Sequence, residues 1–166
     1  MAISSPHWCI AILSCLLWLP GPLKAETASL ASVLARTAAP AGIVFEIVDR
    51  DPGALNQALP WISAAAKRLR QRFPKLEMAV VSHGQEMFAL RESAQAENIQ
   101  PHRLARQLVE QEGIPVHVCE TYAAWQGVAP EAFPDYIDVA PAGPAQINNY
   151  MALGYIRIAV PKLAKR

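Results

Sequence analysis

Cys119 is the residue in this sequence best placed to act as a nucleophile. It closes a short apolar run, Ile114-Pro-Val-His-Val118, and is followed by Glu120 and Thr121. The other two cysteines, Cys9 and Cys15, lie in an apolar N-terminal run. If that run is removed, Cys119 has no intramolecular partner. A lone thiol is a packing residue, an intermolecular link or a reactive group. As a reactive group it would attack as thiolate and accept sulfur as a persulfide. His117, two residues earlier, shares a strand face with it. Ser82-His83-Gly84 follows a second apolar run and brings another imidazole. A helix starting at Thr121 would aim free backbone N–H groups at the sulfur and favour its anion, whereas Glu120 would oppose it. Free cysteine is also among the most buried residue types, and spacing alone leaves both readings open. His83, His117 and Cys119 together suggest copper or zinc by ligand softness. No paired cysteines and no His-x-x-His spacing support that site, and no metal is expected.

The elements that must position these residues alternate along the chain. Strands are expected over 43–48, 76–81, 114–118, 136–139 and 155–160, from their β-branched and aromatic runs. Between the first two, Asp51 and Pro52 open a helix whose Leu55, Leu59, Ile62, Ala66, Leu69 and Phe73 form one apolar stripe. A short helix is expected over 85–91, and another from Pro101 to Glu112, stopped by Gly113. A further one starts at the Pro141-Ala-Gly-Pro144 turn and ends before Gly154. This alternation predicts an α/β fold: a three-layer α/β/α domain with a mainly parallel five-stranded sheet. Sites in such sheets gather at the carboxyl ends of the strands. Asp49, His83, Cys119 and the turn through Gly143 all fall there.

The N-terminal run from Cys9 to Leu19 has the length of a signal-peptide core, is broken by Pro20-Gly-Pro22, and is followed by Ala25 at a cleavable position. The expected organisation is a signal peptide over 1–25, an N-terminal arm over 26–41, the domain over 42–161 and a basic tail over 162–166. The mature chain is therefore expected to be exported, periplasmic or otherwise, with no stable membrane insertion after signal removal. Charged residues make up 17% of the chain and the net charge is +1, which gives no electrostatic footprint for nucleic acid. So lean a charged surface hints at buried contacts between copies of the chain. The sequence carries no dinucleotide fingerprint, P-loop or nucleophile elbow, and no cofactor is expected.

Three stretches carry a resemblance. Val80-Val-Ser-His-Gly84, Cys119-Glu-Thr121 and Asp138-Val-Ala-Pro-Ala-Gly143, the last followed by Leu153-Gly-Tyr155 and a final strand, resemble the DsrE/DsrF-like family over residues 43–160. The resemblance implies a compact α/β/α domain that forms homo-oligomers. It also implies a sulfur relay, in which a cysteine carries sulfur as a persulfide between a donor and an acceptor. On that pattern Cys119 is the persulfide acceptor, tuned or oriented by His83 and His117. The chain would act as a sulfurtransferase or carrier whose donor and acceptor the sequence does not name. The rival expectation is a non-catalytic small-ligand-binding or assembly module in a homo-oligomer.

Overall fold

The computed structural model describes residues 27–162. The expected signal peptide, Cys9, Cys15 and the end of the basic tail lie outside the described residues. The order of elements is α1 (Leu30–Leu34), β1 (Gly42–Ile47), α2 (Leu55–Arg72), β2 (Glu77–Ser82), a 3-10 helix (Gln85–Leu90), α3 (Ile99–Glu110), β3 (Val116–Cys119), α4 (Glu120–Trp125), β4 (Asp138–Ala140), α5 (Gly143–Ala152) and β5 (Tyr155–Ala159). The strands form one five-stranded sheet, ordered β4-β3-β2-β1-β5. Every pairing is parallel. The predicted fold class holds.

Strand order explains where the helices lie. From β1 to β4 the chain steps outward in one direction. It then returns to the far side of β1 to add β5. Right-handed crossovers keep α2 and α3 on one face and place the returning α5 on the other. Alternate strand residues sort accordingly. Ile43, Phe45, Met78, Val80, Val116 and Val118 join the main core with α2 and α3. Val44 and Val81 pack with Ile147 of α5 in a smaller cluster. The predicted stripe of α2 is buried from Leu55 to Leu69.

Element ends shift by one or two residues, β3 starting at Val116 and α3 at Ile99, and three local expectations change for reasons the contacts show. The residues at 51–54 form a turn rather than the start of α2, because Asp51 Oδ1 accepts from Gly53 N and its carbonyl from Ala54 N. The fourth strand starts two residues later than expected, since Tyr136 is engaged by His102 at 2.6 Å and by the Arg106 guanidinium over its ring. Thr121 does not cap α4; Cys119 does, with Sγ accepting from Tyr122 N at 3.4 Å. The Thr121 hydroxyl donates instead to the Pro141 carbonyl at 2.6 Å and ties α4 to the turn after β4.

A buried carboxylate fixes the loops at the carboxyl edge. Glu86 is 0% exposed. Its Oε1 accepts from the Ser82 hydroxyl at 2.7 Å and Gly84 N at 3.0 Å, and its Oε2 from Asp49 N at 2.7 Å. The loops after β1 and β2 thus share one anchor, and His83 sits inside it. Removing it strands buried donors, and each such loss costs about 1–3 kcal/mol. Glu86→Ala is expected to lower unfolding free energy by about 2–4 kcal/mol in urea titration. A loss within about 0.5 kcal/mol, the ordinary surface range, would contradict the anchoring role.

Candidate functional site

His83 and Cys119 come together at the carboxyl edge of the sheet, on the α5 face. The link between them is Gly143, the first residue of α5. A β-carbon built there would stand 2.5 Å from His83 Cβ, 3.0 Å from His83 Cγ and 3.4 Å from Cys119 Cβ. Only glycine lets the helix start this close to both side chains. Cys119 is 4% exposed.

Behind His83 lies a residue that the sequence reading passed over. His83 Nε2 is 3.0 Å from Glu46 Oε1, and Arg157 Nε is 3.1 Å from Glu46 Oε2. The hydrogen bond from His83 holds the Glu46 carboxyl below its ordinary 4.5; burial opposes this and the Arg157 charge adds to it. Glu46 is therefore ionised at neutral pH and can only accept hydrogen bonds. His83 Nε2 is then the donor of that bond, and in the neutral ring Nδ1 is the acceptor. A carboxylate behind an imidazole near a thiol is the arrangement that activates nucleophiles by a general base. The signal was present in the sequence: one glutamate inside Ile43-Val-Phe-Glu-Ile-Val48 and one arginine inside Tyr155-Ile-Arg-Ile158. Both are lone charges at inward strand positions.

His117 takes a different environment. Its Nε2 accepts from the Tyr150 hydroxyl at 2.8 Å, and its Nδ1 lies 2.6 Å from Asp138 Oδ2. Burial pushes its pKa below 6.5, with Asp138 opposing. Its two nitrogens join β3 to α5 and β4. Asp49, the remaining strand-end candidate, contributes its backbone to the Glu86 anchor.

A recess of about 280 Å³ opens beside His83, lined also by Gln85, Tyr122, Asp49, Arg50 and Lys162. The Tyr122 hydroxyl donates to Gln85 Oε1 at 2.9 Å and closes one wall. A wider groove of about 830 Å³ runs between α2 and α3, with Lys67, Arg70 and Arg103 on its walls and neither cysteine nor histidine. Among the described residues no three His, Cys, Asp or Glu side chains converge as a metal-binding group.

The buried histidines make stability depend on pH. His102 donates through Nε2 to the Ala89 carbonyl and accepts at Nδ1 from the Tyr136 hydroxyl. Burial lowers its pKa below 6.5, as for His117. Below 6.5 the unfolded chain binds protons that the native state refuses, so stability falls as pH drops. The lowered Glu46 acts in the same direction below 4.5. The urea midpoint is expected to be level above about pH 7 and to decline between about pH 6.5 and 5. A midpoint constant or rising over that window would contradict neutral burial of both rings.

No family model matches the chain, and no curated protein matches it in sequence. Solved structures do match. One is a protein of unknown function, MTH1491 from Methanobacterium thermoautotrophicum, with a TM-score of 0.54 and 17% identity, covering 70% of this chain and 96% of that one. Another is the YchN protein from E. coli, with a TM-score of 0.52 and 16% identity, covering 71% of this chain and 97% of that one. At these identities the likeness establishes the architecture alone: the described domain shares the fold of those two proteins.

Proposed function

We propose that this protein is a sulfur carrier and that Cys119 accepts and passes on sulfur as a persulfide. One observation carries the reading: Cys119 and His83, the latter bonded to Glu46, both flank Gly143 at the carboxyl edge of the sheet, their β-carbons 3.4 and 2.5 Å from a β-carbon built there. Sites of open α/β sheets collect at that edge. A recess opens beside His83 at the same edge.

The reaction follows from the arrangement. The Cys119 thiol gives its proton to His83 Nδ1, and Glu46 stabilises the imidazolium through Nε2–H. Sγ attacks the outer sulfur of a donor persulfide, R–S–SH. The new Sγ–S bond forms as the donor's S–S bond breaks, and the electron pair leaves on R–S⁻. That thiolate takes the proton back from His83 as R–SH. The products are Cys119–S–SH and a free thiol, with no net oxidation. Passing the sulfur on repeats the step with an acceptor thiolate. His117 orients β3 through Tyr150 and Asp138 and remains neutral during the cycle.

The carrier is proposed to work outside the cytoplasm as a homo-oligomer, with a donor and an acceptor still to be found. The N-terminal apolar run supports export. The sparse charge, together with Trp125 at 75% and Leu153 at 69% exposure, supports self-association. N-terminal sequencing of the fractionated protein and light scattering read these two points.

The chemistry is tested by intact mass after incubation with a polysulfide donor. Wild type is expected to gain one sulfur atom, removable by a reducing thiol, and Cys119→Ser to gain none. Equal gain on both, or no gain on wild type, would sink the carrier reading and leave an assembly module.

A further inference from the structure

Arg157 takes no part in the step at Cys119, yet it connects that site to the N-terminal arm. It lies in β5 opposite Val44, on the α5 face of the sheet. Its Nε stands 3.1 Å from Glu46 Oε2. Its Nη2 donates to the Thr27 hydroxyl at 2.9 Å, and its carbonyl accepts from Ala28 N at 3.0 Å. The contact to Glu46 is an ion pair by charge and distance, and the contact to Thr27 is a hydrogen bond, so one guanidinium serves two partners at once. The contacts run without a break from Thr27 through Arg157 and Glu46 to His83. The His83 Cγ, which bears Nδ1, is 3.0 Å from a β-carbon built on Gly143, and Cys119 Cβ is 3.4 Å from the same point.

We propose that Arg157 is the positioning residue of this site: it holds Glu46 turned so that Oε1 receives His83 Nε2–H and Nδ1 is kept as the acceptor near Cys119, while Thr27 holds Arg157. This rests on the reading of Cys119 as a reactive thiol. The physical reason is the two-way chemistry of a carboxyl group. An ionised Glu46 accepts the Nε2 proton. A neutral Glu46 donates to Nε2 and moves the ring proton to Nδ1, which removes the base. The His83 hydrogen bond favours the ionised form most, burial opposes it, and the Arg157 charge adds to it, so Arg157 acts here chiefly by fixing which way the carboxylate faces. The other groups around His83 do not take over this task. Asp49, Arg50 and Lys162 line the recess beside it, and Cys119 is the group it serves. A lysine at 157 would keep the charge but lose the fork that reaches Thr27 as well.

The test uses the full chain at about pH 8.5, two units above the value of a free imidazole. Long-range proton–nitrogen NMR reads the His83 tautomer, and iodoacetamide labelling reads the Cys119 rate. Wild type is expected to hold its proton on Nε2 alone. Arg157→Gln is expected to populate the Nδ1–H form and slow labelling about 10-fold, the low end for a partner behind a functional histidine. Arg157→Lys should recover part of the rate, and Thr27→Val should show a smaller change of the same sign. Wild-type tautomer and rate in a folded Arg157→Gln would overturn the proposal. If that variant fails to fold, Thr27→Val decides, and no change there overturns it equally. The two readings fail separately. A tautomer that follows Arg157 in a protein taking up no sulfur supports the positioning role and ends the carrier reading. Unchanged tautomers with full sulfur uptake end the positioning role alone.

Discussion

A carboxylate set into a sheet face has to be compensated, and the arrangement around Glu46 follows from that requirement. An unpaired buried charge costs several kcal/mol after relaxation. Glu46 meets the demand with an imidazole on one oxygen and a guanidinium on the other. Each partner is constrained in turn. His83 follows β2 inside the loop that Glu86 anchors, and Arg157 is held by the first described residues of the chain. Glu46, His83, His117 and Arg157 therefore lie on the face that α5 crosses, while Ile43, Phe45, Met78, Val80, Val116 and Val118 line the opposite face under α2 and α3.

The returning crossover makes this division possible. Because β5 adds beside β1 and not beside β4, α5 has to span the sheet from one edge to the other. Its first residue lands over the ends of β2 and β3, where His83 and Cys119 stand. A side chain at Gly143 would enter His83, so the glycine is a condition of the site as well as of the turn. Thr121 reinforces the junction by bonding the Pro141 carbonyl, and Cys119 caps α4 with its own sulfur.

Much of the fold was legible from residue pattern. The α2 stripe from Leu55 to Leu69, the five strand cores and the stops at Gly113 and Gly154 all follow from local rules of burial and backbone freedom. Cys119 and His83 were legible as strand-end residues. The link between them was not, because it depends on which strands are neighbours. Glu46 and Arg157 are 111 residues apart in the chain and meet only because β5 returns to β1. The placement of His117 was hidden for the same reason: Tyr150 and Asp138 come from elements whose side of the sheet is set by the direction of the last crossover. The cap of α4 shifted from Thr121 to Cys119 because the Pro141 carbonyl competes for the threonine hydroxyl.

The central claim is that His83, held by Glu46, activates Cys119 in the folded protein. It is tested most directly by the rate of Cys119 alkylation in the native state, measured for wild type and for His83→Ala. The proposed chemistry predicts reaction without denaturation in wild type and a slowing on the order of 100-fold in the variant, the low end for loss of a general base. Equal rates in the two proteins, or a thiol that reacts only after unfolding, would show that Cys119 is a packing residue.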